Sequence, residues 1–296
     1  MTAPIRVATR GSALARWQAN LVVQRLAVPA ELVIVSTKGD RDRTSAIHAI
    51  GGTGVFVKEV QDAVRRGDAD IAVHSAKDLP AESVEGLVIG AVPERADVRD
   101  ALVGARLADI PPGGVVGTGA VRRRAQLAAL RPDLGFGELR GNVPTRVERA
   151  ADFDAVVVAL AALQRLELVD VVAEILDVDV MVPMVGQAAL AVECRTDDVR
   201  VVEALAVIDM PDSHIALTAE RAYLRTLGGG CTMPCGAYAQ VNPEGGVHLD
   251  ALLASLDGTT MLRAKVDGVD AESVGIAAAR RILDDLGGRA LLGVPA

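Results

Sequence analysis

Ile5-Arg6-Val7-Ala8-Thr9-Arg10-Gly11-Ser12 places an apolar strand, a tight turn and a helix cap in immediate succession. Ile5 to Ala8 has the composition of a buried strand, and Ser12 is a residue type that accepts the orphan N–H groups of a helix start. After it Leu14, Trp17, Leu21 and Val22 recur at helical spacing, with Gln18 and Arg25 expected on other faces. Further along, Gly114 to Gly117, the turn Thr118-Gly119-Ala120 and the helix Val121 to Leu130 repeat this layout. Strands alternating with helices predict an α/β chain with mostly parallel sheets.

Working outward, Glu31 to Ser36 reads as a second strand, and Thr37 to Gly54 is a polar stretch too long for an ordinary connection. Val55 to Arg66 is amphipathic and closes at Gly67. Ile71 to Val73 is a strand running into His74-Ser75-Ala76-Lys77-Asp78, which sets charged groups at a strand's C-terminal end, where open α/β sheets place their sites. Pro144 to Ala151 reads as helix, and Phe153 to Leu160 and Ala188 to Glu193 as buried strands. Past Pro211 the pattern changes to a helix over His214 to Leu227, three short strands between Ala237 and Val266, and a helix from Ala271 to Leu286, a small α+β region.

The 296 residues, half of them hydrophobic, suffice for two or three domains. With six aromatic residues and a net charge of −8, stacking on bases and non-specific attraction to nucleic acid or anionic membrane are not expected. The N-terminus lacks a charged region followed by an apolar run, and the longest apolar stretch, Ala155 to Leu163, is about half a membrane span. A soluble, cytoplasmic protein is the expectation. Three cysteines, an odd number, argue against a disulfide framework.

Local charge departs from the average. Between Thr118 and Arg149 seven arginines stand against three acidic residues, a net +4. Two helix starts, one beside Arg10 and Ser12 and one beside Thr118, Arg122 and Arg123, have the makings of anion cradles, although each alone also fits an ordinary solvated turn. Arg140, Arg146 and Arg165 add guanidinium forks suited to carboxylates or phosphates. No Gly-Lys-Ser/Thr phosphate loop is present, so a polycarboxylate is the better match. Cys231, behind three glycines, reads either as an exposed nucleophile or as a small residue in a tight turn. Cys235 lacks a second cysteine pair for zinc, so no metal is expected, and Cys194 belongs to an apolar strand. None of the four histidines sits in a recognisable hydrolase arrangement. Asp78 is a candidate acid, base or cation stabiliser, with a surface pair to Lys77 as the plainer reading.

Five segments in order, Val7-Ala8-Thr9-Arg10-Gly11-Ser12, Phe56-Val57-Lys58-Glu59, Asp70 to Pro80, Leu139-Arg140-Gly141-Asn142 and Leu227-Gly228-Gly229-Gly230-Cys231-Thr232-Met233-Pro234, resemble the porphobilinogen deaminase (hydroxymethylbilane synthase) family. The resemblance implies two α/β domains like the halves of a type II periplasmic binding protein, flanking a cleft, plus a small C-terminal α+β domain. The boundaries expected are 1–95 plus 187–208, 96–186 and 211–296. It implies a transferase that adds four porphobilinogen molecules head to tail, each losing ammonia, to a dipyrromethane cofactor held as a thioether by Cys231, and releases hydroxymethylbilane for haem and other tetrapyrroles.

By position, Asp78 would be catalytic. Ser75, Lys77, Thr118, Arg122, Arg123 and Arg146 would hold cofactor carboxylates, and Arg10, Ser12, Arg140, Arg165 and Gln187 would face substrate. A monomer without a nucleic-acid or membrane partner is expected. The chemistry suits such residues: six rings present about twelve carboxylates, for which arginines are the matching surface. Loss of ammonia leaves a cation that a carboxylate about 4 Å away stabilises by roughly 4 kcal/mol at an effective dielectric of about 20. Three positions depart from the family pattern: Gly119-Ala120 replaces two serines, Thr53 a loop lysine and Ala188 a glycine. The lost hydroxyl at Ala120 leaves a non-catalytic anion-binding module as the alternative; Lys77, Asp78 and Cys231 together favour the enzyme.

Overall fold

A computed structural model of the chain describes residues 3–37, 39, 54, 56–230 and 232–293. Cys231, Thr53 and most of the stretch from Thr37 to Gly54 lie outside the described residues. The strands of the first half are β1 (Ile5–Arg10), β2 (Ala30–Val35), β3 (Ile71–Ser75) and β4 (Leu87–Ala91). Next come β5 (Asp100–Val103), β6 (Val115–Gly117), β7 (Gly135–Gly137), β8 (Ala155–Ala159), β9 (Val172–Leu176) and β10 (Leu190–Arg195). The last three are β11 (Cys235–Val241), β12 (Val247–Ala254) and β13 (Met261–Gly268). The α-helices among the described residues are α1 (Ala13–Arg25), α2 (Lys58–Arg65), α3 (Val121–Leu130), α4 (Val143–Glu148), α5 (Leu160–Arg165), α6 (Val199–Ala206), α7 (Pro211–Thr226), α8 (Ala271–Arg280) and α9 (Gly288–Leu292).

The chain divides into two compact units, residues up to 96 with 188–214, and 97–187 with 215 onward. The first holds a sheet of order β2-β1-β3-β10-β4 and the second a sheet of order β7-β6-β8-β5-β9. Position by position the two orders correspond, with β10 in the first sheet matched by β5 in the second, so the two sheets share one α/β arrangement. The second unit also carries the antiparallel sheet β11-β12-β13, a separate C-terminal fold.

The sheets are mixed rather than mostly parallel. β1 runs parallel to β2 and β3, but β10 is antiparallel to both β3 and β4. Likewise β6 is parallel to β7 and β8, while β5 is antiparallel to β8 and β9. β5 and β10 are the strands with which the chain enters a unit from the other one, so no crossover helix constrains their direction.

Both faces of each α/β sheet are covered, which is why their strands read as continuous apolar runs. In the first unit Ile5, Val7, Ile71 and Val73 pack with Ala19 and Val22 of α1 and with Val201 and Leu205 of α6 on one side. Ala8 and Ala72 pack with Val60, Ala63 and Val64 of α2 on the other. The second unit repeats the alternation, with Leu102, Val116 and Val157 against Leu127 of α3, and Ala101, Val156 and Val158 against Leu160 and Leu163 of α5. Each of the larger side chains among them, Val, Leu or Ile, contributes about 1.5–3 kcal/mol when fully buried.

Several boundaries move. The helix expected from Val55 starts at Lys58, and Val55 lies outside the described residues. The run from Phe153 to Leu160 is a strand only over Ala155–Ala159, because Leu160 opens α5. Pro144 to Ala151 splits into α4 and a 3-10 turn over Arg149–Asp152. α8 gives way to a π-helical turn at Arg281–Asp285. On α1 the buried positions include Gln18 while Trp17 is 39% exposed, the reverse of the periodic reading. Gln18 can be inside because its amide nitrogen donates to Ser75 Oγ at 2.8 Å.

The C-terminal sheet is tied into the second unit through buried polar groups. Glu220 on α7 accepts from the backbone N–H of Gly186 at 2.7 Å and of Ala239 on β11 at 2.9 Å. Tyr223, one turn on, donates its hydroxyl to the Leu252 carbonyl at 2.7 Å. Cys194 is fully buried in β10, and burial pushes its thiol up to about 11.

Candidate active site

In the first unit five expected site residues gather at one sheet edge. Arg10 ends β1, Ser12 caps α1, Ser75 ends β3, and Lys77 and Asp78 lie in the 3-10 turn that follows. β1 and β3 are parallel neighbours, so these residues share the edge at their C-terminal ends. The strand order reverses at this point, with β2 on one side of β1 and β3 on the other. That is where such sheets form ligand crevices.

Local chemistry fixes the edge. Ser12 Oγ accepts from Ala15 N–H at 3.3 Å, so its acceptor side caps α1 while its own proton remains a donor. The Arg10 guanidinium lies 4.2 Å from the centroid of the Phe56 ring, within cation–π distance. Asp78 is half-buried, and its carboxylate has no hydrogen-bond or ion-pair partner among the described residues.

The second unit builds the corresponding edge from cations. Thr118 follows β6, Arg122 and Arg123 fall in the first turn of α3, Arg140 precedes α4, Arg146 lies on α4, and Arg165 ends α5 after β8. Thr118 is buried, and its Oγ1 accepts from Ala120 N–H at 3.2 Å. Ala120 itself offers no side-chain cap. At Gly119 an added Cβ would come within 2.9 Å of the Leu139 carbonyl oxygen, so the backbone here leaves little room for a serine. Arg146 donates Nε to the Gly141 carbonyl at 2.8 Å, and Asn142 caps α4 through Thr145 N–H at 3.0 Å. Burial pulls the Arg165 guanidinium down to about 10, so it stays charged at neutral pH.

Arg122 and Arg123 are buried, and both meet a residue that the sequence pattern did not single out. Asp100, the first residue of β5, is 0% exposed. Its Oδ2 accepts from Arg122 Nη2 at 2.7 Å, and its Oδ1 accepts from Arg123 Nη2 at 2.7 Å and Nε at 3.2 Å. Burial alone would raise the Asp100 carboxyl; the two guanidiniums outweigh it and hold the group well below the usual carboxylate range. Gln187, expected on the substrate side, is 1% exposed and donates its amide nitrogen to Asp100 Oδ1 at 3.0 Å and to the Val98 carbonyl at 2.7 Å. Its amide nitrogen is thus engaged by the Asp100 cluster. The signal that could have found Asp100 is a carboxylate directly opening the apolar run Ala101-Leu102-Val103.

Among the described residues no group of three or more His, Cys, Asp or Glu could hold a metal ion. Cys235 is fully buried at the start of β11. No described helix is long and apolar enough to cross a membrane.

Comparison with known proteins identifies the family. Residues 5–203 match the family model described as porphobilinogen deaminase, dipyromethane cofactor binding domain, and residues 214–284 match porphobilinogen deaminase, C-terminal domain. The porphobilinogen deaminase of Geobacter sulfurreducens is 43% identical, covering 97% of this chain and 93% of that protein. Those of Pelobacter propionicus and Geobacillus kaustophilus are 45% and 46% identical, each covering 97% of this chain and 96% of its own length. The chain belongs to the porphobilinogen deaminase family.

Proposed function

We propose that this chain is a transferase that joins four porphobilinogen molecules head to tail, with loss of ammonia, on a dipyrromethane primer and releases hydroxymethylbilane, the open-chain precursor of haem and other tetrapyrroles. The alternative of a non-catalytic anion-binding module is not favoured, given the family match over nearly the whole chain. The structural observation that carries the reading is Asp78, a half-buried carboxylate with no described partner, set at the same sheet edge as the Arg10 guanidinium.

The donor set fits the cofactor. A two-ring tetracarboxylate requires hydroxyls, cations and backbone N–H groups, and Ser75, Lys77, Thr118, Arg122, Arg123 and Arg146 are of the types that supply them. When bound, dipyrromethane supplies the electron-rich pyrrole carbon to which an incoming ring is joined. Cys231 is assigned as its thioether anchor; the fully buried Cys194 and Cys235 suit that role poorly. Arg10, Ser12, Arg140 and Arg165 are assigned to the carboxylates of the incoming ring, and Gln187 to the same side through its link to Asp100. Asp78 accepts the pyrrole N–H, stabilises the positive charge that develops as ammonia leaves and takes up the proton released when the new bond is made. On this reading the chain works as a cytoplasmic monomer of three domains, 1–95 plus 187–208, 96–186 and 211–296.

Incubation with porphobilinogen, then oxidation and an absorbance spectrum, tests the activity. A porphyrin band is expected; its absence, with the substrate unconsumed, contradicts the assignment.

A further inference from the structure

We infer that Asp100 is a positioning residue: it fixes Arg122 and Arg123 as a preset pair with one positive charge in excess, ready to take a carboxylate of the bound dipyrromethane. This rests on the assignment of those two arginines to the cofactor. Three observations lead to it. First, the stoichiometry is uneven, because one fully buried carboxylate serves two guanidiniums that are themselves 3% and 5% exposed. A buried cluster built for stability alone would be expected to balance its charges, since an uncompensated interior charge is costly.

Second, the guanidiniums are immobilised from behind. Arg122 Nη1 donates to the Val182 carbonyl at 2.6 Å and Arg123 Nη1 to the Val157 carbonyl at 2.9 Å, while Gln187 and the two arginines converge on the same carboxylate. Only two nitrogens of Arg122 are engaged by described groups, so its fork retains donors for an added anion.

Third, the cations stand at the positive end of a helix. α3 has no acidic residue in its first turn and carries Arg122 and Arg123 there. The positive end of the α3 dipole therefore adds to the guanidiniums instead of being offset. The N–H groups of Val121, Arg122 and Arg123 have no acceptor among the described residues. Among the described groups that contact these two guanidiniums, Asp100 is the one with a negative charge to offset theirs. Without it the two guanidiniums would repel each other and lose their common anchor.

The test follows primer acquisition rather than turnover. Apoprotein of the wild type, Asp100→Asn, Asp100→Glu and Arg123→Leu is incubated with porphobilinogen, and the fraction bearing the dipyrromethane mass increment is followed over time by intact mass, with circular dichroism reporting the fold. Asp100→Asn and Arg123→Leu are expected to acquire the increment about tenfold or more slowly, as fits loss of a charge-assisted anchor. Asp100→Glu, which keeps the charge but displaces it by one methylene, is expected to recover most of the rate and remain about two- to fivefold slow. Wild-type acquisition by Asp100→Asn overturns the positioning role, as does acquisition by Asp100→Glu that matches the wild type or is no faster than that of a folded Asp100→Asn. Should Asp100→Asn fail to fold, Asp100→Glu decides. Unchanged acquisition by Arg123→Leu overturns instead the assignment of the arginines, whatever Asp100 does.

Discussion

The two α/β halves share one strand order and differ in what they hang on it. At the end of its first strand the amino-terminal half has Arg10, followed by a side-chain-capped helix, and after its third strand the turn with Asp78. At the matching places the other half has an uncapped helix start with Arg122 and Arg123, and a helix ending in Arg165. One scaffold thus offers an acid on one copy and a concentration of cations on the other. The fold supplies positions; the residues at the strand ends decide the chemistry.

The comparison breaks most sharply at Asp78. Replacing it by asparagine should keep the primer and lower turnover by about 10²-fold or more, the range of a lost acid–base and charge-stabilising group. Steady-state assay with intact mass on the same sample checks this, and near-normal turnover would remove Asp78 from its role.

Asp100 comes next. Asp100→Ala leaves two buried guanidiniums without their partner and should cost about 3–5 kcal/mol in urea unfolding. Its folded pKa is lowered, so its stabilisation is fully present above the ordinary carboxylate value near ~3.9 and is lost as pH falls towards the lower folded value. The wild type should therefore lose stability below about pH 4 more steeply than Asp100→Asn. Parallel pH profiles would deny Asp100 its share.

Arg146→Leu should slow primer acquisition by about tenfold, the equivalent of one charge-assisted hydrogen bond. Unchanged acquisition would take this arginine out of the cofactor set.

The smallest effect makes the halves more alike. Ala120 has the extended backbone of a helix cap, φ −105° and ψ 113°, so Ala120→Ser should raise stability by about 1 kcal/mol. No gain in the urea midpoint would mean that Thr118 already serves this helix start.

Much of this was legible before the structure. Ser12 and the apolar spacing after it marked the first strand–helix unit, and the density of arginine marked the second. Strand direction was not legible, because a strand buried on both faces has the same composition whichever way it runs. β7 escaped because it is three residues long with two glycines. Its form answers to Phe153, whose ring would lie within 2.3 Å of a Cβ at Gly137 and 2.7 Å of one at Gly117. Gln18 and Trp17 exchanged places because one hydrogen bond to Ser75 outweighed periodicity. Asp100 lies more than twenty residues from the arginines it holds, and only the β5–β8 pairing and the run of α3 bring them together.

Peptide mapping by mass spectrometry after exposure to porphobilinogen tests the central claim most directly. The account predicts a dipyrromethane increment on the peptide containing Cys231, with Cys194 and Cys235 unmodified. A bare mass throughout, or an increment confined to Cys235, would contradict it.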